Sequence, residues 1–296
     1  MTNYTKPALG IQAQIQKLRN RGMTVSNASA ATRFLQTCNF YRFGGYAIAF
    51  WSTNARPQQY AAGTRFEDVV NLIDFDRSLR MLTLDAIERL EVAVRSVITS
   101  KASLFYASPH WYLNGARFKS AALHGKFLSK SAADFERSKE VFAVHYKNTY
   151  SVPDVPPSWV IAEITSLGTW SHLFKNMESR QLRNRIASVF AINHLTLESN
   201  LHVLNVTRNA CAHHTRLWNK VFAFKPSLAQ SPSARIPALG DQRFAAQVGM
   251  IWVMLRAIEP KSQWTRALRD LIVQHGIDAT KMGFPAHWDQ DPFWGI

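Results

Sequence analysis

Between residue 66 and about residue 103, apolar side chains recur at Leu72, Phe75, Leu79, Leu82, Ala86, Leu90, Ala93 and Val97. Steps of three and four place them on one stripe of a helix. No Gly or Pro interrupts the run, and Pro109 follows its end, so one long helix is predicted there. A second helix is predicted with Thr196 as its N-cap; it buries Leu197, Leu201 and Leu204 and continues towards Trp218. Further helices are expected over 10–21, 131–146, 159–176, 179–190, 241–258 and 261–274. Strand signals are scarce. The aromatic run 40–51 fits a short strand, a turn or a cap on the core, and the Pro- and Ser-rich stretches 151–157 and 225–237 read as loops.

With no internal repeat and no low-complexity tract, the economical reading is one all-α domain over residues 1–296. Within it, 1–65 is an N-terminal helical and aromatic segment, 66–224 the helical core, and 225–296 the C-terminal helices and tail. The 47% hydrophobic and 19% charged composition is that of a globular chain and excludes a disordered one.

Charge changes the picture more. Thirty-five Lys and Arg against 20 Asp and Glu leave a net +15, which favours polyanionic partners, nucleic acid first and an anionic membrane surface second. Cys38 and Cys211 are the two cysteines, so neither a disulfide framework nor a Cys-rich zinc site is available. The opening residues lack a signal-peptide pattern, and the apolar stretch 244–255 contains Gln247 and is too short to span a bilayer. A cytoplasmic protein without membrane insertion is expected.

Candidate chemistry concentrates in residues 208–219, which hold two adjacent imidazoles, two guanidiniums and two carboxamides among small and aromatic residues. Imidazole titrates near neutral pH and passes protons, and guanidinium grips phosphate oxygens in a fixed fork. Continuing the apolar steps from Leu204 lands on Arg208, then Cys211, Thr215 and Trp218, so Arg208 is expected on the buried face. His213, five residues on, lies about 140° further round an ideal helix, on a stripe shared with Asn209 and Arg216. The two key side chains therefore do not stack on one face. On the long helix, Arg77, Arg80, Glu88, Glu91 and Arg95 form a polar stripe read as a solvated face with intrahelical ion pairs, Arg208 being a cation that Glu88 or Glu91 could orient. Trp159, Trp170, Trp218, Trp252 and Cys211 read as packing residues. Lys119, Lys126 and Lys130 read as solvated, with an RNA path across them as the alternative.

Arg208-Asn209-Ala210-Cys211-Ala212-His213 matches the R-x4-H signature of HEPN ribonucleases. Its surroundings, Arg-Asn-x-Cys-Ala-His-His-x-Arg-Leu-Trp-Asn, resemble the hallmark of the Abi-like family (AbiD/AbiF type) of bacterial abortive-infection proteins. Other blocks agree in order. They are Leu18-Arg19-Asn20-Arg21-Gly22, Asn39-Phe40-Tyr41-Arg42-Phe43-Gly44-Gly45-Tyr46, Phe75-Asp76-Arg77-Ser78-Leu79-Arg80, Pro156-Pro157-Ser158-Trp159 and Met282-Gly283-Phe284-Pro285. Gly44 departs from the family, where Leu or Ser is expected.

The resemblance implies a HEPN-type helical bundle and an RNA-cutting toxin directed against phage, working without a metal or other cofactor. A ribose 2′-hydroxyl attacks the adjacent phosphorus and leaves a 2′,3′-cyclic phosphate and a 5′-hydroxyl. By the same resemblance His213 is the general acid–base, Arg208 stabilises the charged phosphorane, and Asn209 and His214 position or bind RNA. Arg216, on the stripe of His213, is the further phosphate contact expected from the residues themselves, with Arg80 behind it. Such sites are built from two R-x4-H motifs. Of the ten histidines only His213 has an Arg five residues before it, so a homodimer is implied, with a regulatory small non-coding RNA as a further partner. Two other readings stand beside this one: a metal hydrolase using His194, His202, His213 and His214, and a non-catalytic RNA-binding protein.

Overall fold

The structure is a computed structural model that describes residues 3, 5, 7–52, 58–228, 237–239 and 242–296. Regular structure among them is helical, with isolated β-bridges such as Trp51 to Tyr60 in place of strands, as the periodicity predicts. Among the described residues the twelve α-helices are α1 (Ile11–Asn20), α2 (Ala28–Thr37), α3 (Phe40–Ala47), α4 (Phe66–Phe105), α5 (Ala121–Arg137), α6 (Val141–Thr149), α7 (Ser158–Ile164), α8 (Leu167–Asn176), α9 (Arg180–Ala187), α10 (His194–Ala212), α11 (Phe244–Ile258) and α12 (Trp264–Gln274). The chain divides into two compact units, one of Met1–Ser78 with Leu271–Ile277, the other of Leu79–Asp270 with Asp278–Ile296.

In the first unit the aromatic run is neither strand nor turn. It forms α3, because Asn39 Oδ1 accepts from the Tyr41 amide at 2.7 Å and caps the helix. The face so formed buries Phe43 and Tyr46. Phe43 stacks on Phe66 at 4.7 Å, and Tyr46 Oη donates to buried Asp76 at 2.6 Å. Helix α2 is a helix that apolar spacing alone does not reveal. Asn27 caps it, accepting from the Ala30 amide at 2.9 Å.

The second unit carries the candidate chemistry. Along α4 the buried residues include Leu79, Thr83, Ala86, Ile87, Leu90, Val94 and Ile98, whereas Leu82, Ala93 and Val97 are only half-buried. The stripe is thus rotated slightly from the predicted one, and Thr83 tolerates burial by donating to the Leu79 carbonyl at 2.6 Å.

Two predicted helices are broken. The 131–146 segment splits at residues 138–140, where Ser138 and Glu140 are extended. Lys147 Nζ donates to the freed Glu136 carbonyl at 2.6 Å. The 159–176 segment splits between Thr165 and Ser166. There Arg95 donates to the Ala162 and Thr165 carbonyls at 2.8 and 3.0 Å, and Glu91 accepts from the Leu167 amide at 3.2 Å. A cation at the C-terminus of α7 and an anion at the N-terminus of α8 each satisfy an orphan backbone group and the helix dipole. Glu91 and Arg95, 3.8 Å apart and each 15% exposed, belong to this junction and not to a solvated face.

Candidate functional site

Helix α10 carries the R-x4-H motif. Its N-cap is Asn193, whose Oδ1 accepts from the Thr196 amide at 2.9 Å; Thr196, expected to be the cap, is a buried residue of the first turn. Leu197, Leu201, Leu204, Thr207 and Cys211 form the buried face. Helix α8 runs antiparallel beside α10. Lys175 Nζ stands 4.0 Å from Glu198 at one end of the pair, and Gly168 meets Asn205 at the other.

Arg208 is exposed, which overturns its expected burial. The angular reading places it near the apolar stripe, but α8 begins only at Leu167. Asn205 already packs on Gly168, so the last turn of α10 runs past the helix that covers its earlier turns. Thr207 is the buried member of that turn, its hydroxyl 3.3 Å from the Gln247 side-chain oxygen. Among the described residues the Arg208 side chain makes no hydrogen bond or ion pair.

The helix also stops earlier than expected. It ends at Ala212, with His213 as C-cap and His214 in the left-handed region at φ 56°. The His214 amide donates to Cys211 at 3.0 Å and the Thr215 amide to Ala210 at 2.9 Å, the paired bonds of a Schellman closure. Beyond it Leu217 and Trp218 are buried, and Asn219 accepts from Arg243 at 2.6 Å, so the segment is pinned at both ends.

His213 and His214 are exposed, and Asn209 and Arg216 are half-buried on the same end of α10. Arg208 and His213 are about 7.5 Å apart along the axis and point about 140° away from each other. A single chain therefore presents the imidazole and the guanidinium on different sides of one helix end. Arg80 does not join them: it is only 6% exposed, which puts it out of reach of a surface phosphate.

The four histidines of the metal-hydrolase reading do not converge. His194 lies at the other end of α10, about 28 Å from His213 at 1.5 Å per residue. It is buried, with Nδ1 2.7 Å from Asn184 Oδ1. Burial and the neighbouring Arg183 hold its imidazole below the usual histidine range. Among the described residues no group of three or more His, Cys, Asp or Glu is arranged to hold a metal ion, and no helix is long and apolar enough to cross a membrane.

The profile of one family, described as Abi-like protein, matches residues 33–219, well over half of the chain. The chain belongs to the Abi-like protein family. The match ends at Asn219, so it contains all of α10, its C-terminal closure and the clamp of α7 and α8 by Glu91 and Arg95. Membership supports a role in abortive infection, the phage-defence response for which the family is named. Comparison with the curated proteins and with the solved structures gives no match.

Proposed function

We propose that this Abi-like protein is a HEPN-type endoribonuclease whose active site is completed by a second copy of the chain. The observation that carries the reading is the state of Arg208 and His213. Both are exposed on one helix end, and neither has a side-chain partner among the described residues. An unpaired guanidinium and an imidazole are the groups needed for phosphorane stabilisation and proton transfer at RNA. A two-fold axis at this end of α10 brings Arg208 of one subunit to His213 of the other.

In the reaction so framed, one imidazole takes the 2′-hydroxyl proton as O2′ bonds to phosphorus. The P–O5′ bond breaks, and the same imidazole returns the proton to the departing oxygen. Asn209, His214 and Arg216 hold the strand beside these groups. Control by a small non-coding RNA belongs to the same reading, since a +15 chain that cuts RNA needs restraint until infection. No metal or other cofactor takes part.

The test incubates RNA with wild type, Arg208→Ala and His213→Ala, with and without EDTA. Wild type is expected to cut, leaving 2′,3′-cyclic phosphate ends, and to keep cutting in EDTA. Both variants are expected to fold normally and cut nothing. Binding without cleavage by wild type would establish the non-catalytic RNA-binding alternative, which the net charge also favours. Loss of activity in EDTA would overturn the metal-independent step.

A further inference from the structure

We propose that the cavity between α5 and α8 is a nucleobase subsite for the RNA strand whose phosphate lies at the end of α10; this rests on the ribonuclease reading of that helix end. The cavity encloses about 450 Å³, within the range of small-ligand sites. Its walls are apolar, from Leu123 and Phe127 of α5 and Leu173 of α8. Lys126 and Lys130 stand on the same face of α5, one turn apart, and no carboxylate lines the space among the described residues. Lys130 shares Asp134 with Arg137, at 3.0 Å from Asp134, whereas the Lys126 side chain makes no ion pair or hydrogen bond among the described residues.

An apolar slot rimmed by cations suits a flat base flanked by backbone phosphates. Sequence-reading RNA proteins take single-stranded bases out of the stack into such slots. His172, exposed at the rim, is placed to meet a base edge or face.

Position ties the cavity to the candidate site. Gly168 forms part of its wall, and a Cβ there would stand 3.2 Å from both amide atoms of Asn205. Asn205 lies one helical turn before Arg208 and Asn209. The part of the cavity wall at Ser166 and Gly168 therefore adjoins the turn that presents the guanidinium. A base seated against Phe127 leaves its own strand running over the end of α10.

The experiment uses the full-length, cleavage-silent His213→Ala protein and a short single-stranded RNA carrying 4-thiouridine. Photocrosslinks are expected in the peptides spanning 121–137 and 167–176. By fluorescence anisotropy, Leu123→Glu is expected to weaken binding about tenfold, the scale of removing one stacked base, while Val141→Glu, at an exposed position on α6, leaves it unchanged. Replacing Lys126 and Lys130 with Ala is expected to lower the salt-dependence slope by about 0.7 for each phosphate left without its cation. Crosslinks confined to the groove between α8 and α10, or equal weakening by the two Glu variants, would overturn the subsite. Cleavage by wild type is scored separately, so a protein that crosslinks here but never cuts loses the nuclease reading and keeps the subsite. RNA that does not bind at all sinks both.

Discussion

The amide of Thr215 donates to the carbonyl of Ala210 at 2.9 Å, and this bond fixes the end of the helix that carries His213. It can form only because His214 adopts a φ of 56°. The same closure ends α1, where Gly22 holds the left-handed position and the Met23 amide returns to Leu18 at 3.1 Å. At α10 an imidazole occupies the position that suits glycine. A side chain there is strained by about 1 kcal/mol or more, and that strain sits within the proposed site.

The strain can be measured by comparing two substitutions at one position. His214→Val adds β-branching at positive φ, whereas His214→Gly removes the penalty. Chemical denaturation is expected to place Val about 2 kcal/mol below Gly in stability. Any interaction of the native imidazole is absent from both variants, so it cancels from the difference. Equal stabilities would mean that the backbone at 214 relaxes out of the left-handed region.

Whether Arg208 and His213 act across subunits is open to complementation. In a mixture of Arg208→Ala and His213→Ala chains, random pairing makes half the dimers mixed, and each mixed dimer has one site with both groups intact. Cleavage is then expected to recover to about a quarter of the wild-type rate. A site built within one chain would show no recovery. Because both residues are exposed, each single variant should keep its stability within about 0.5 kcal/mol of wild type.

The junction between α7 and α8 depends on two charges from α4. Arg95→Ala leaves the Ala162 and Thr165 carbonyls without their donor and Glu91 without its cation, and is expected to cost about 3 kcal/mol. Arg95→Lys should recover only part of this, since an ammonium can serve the two carbonyls that Nη1 meets but lacks the second nitrogen that faces Glu91. Urea denaturation of Glu91→Gln, Arg95→Ala and the double variant is expected to show coupling, with the double change costing less than the sum. Strict additivity would mean that the two charges act independently.

That junction also marks where the sequence stops being legible. Helices α4 and α10 are readable because their own apolar spacing carries the signal. The break at Thr165–Ser166 has no Gly or Pro, and its stabilising partners lie 67 and 70 residues away on α4. Arg208 fails for a related reason: its azimuth follows from counting, but its exposure depends on where α8 begins. Arg80 fails the opposite way, since a residue on a charged stripe gives no local sign that a neighbouring element will cover it. The R-x4-H segment is plain in the order of residues, whereas its closure at His214 depends on a backbone angle that histidine seldom adopts.

Two histidines contribute to the response to mild acid. Burial, followed by the charges of Arg183 and Arg180, holds the His194 imidazole below its usual range, with Glu198 opposing. Burial does the same at His110, opposed by a backbone hydrogen bond at Val155. A histidine whose folded value is depressed binds its proton more readily in the unfolded chain. Its stabilising effect is therefore complete above the unfolded value of about 6.5 and is lost as the pH falls from there through the folded value. The urea midpoint of wild type is expected to drop between pH 7 and pH 5, and His194→Gln, which cannot titrate, should show a shallower drop. Adding His110→Gln should flatten it further. A variant that follows the wild-type curve would mean that the imidazole at 194 already carries its proton in the folded protein.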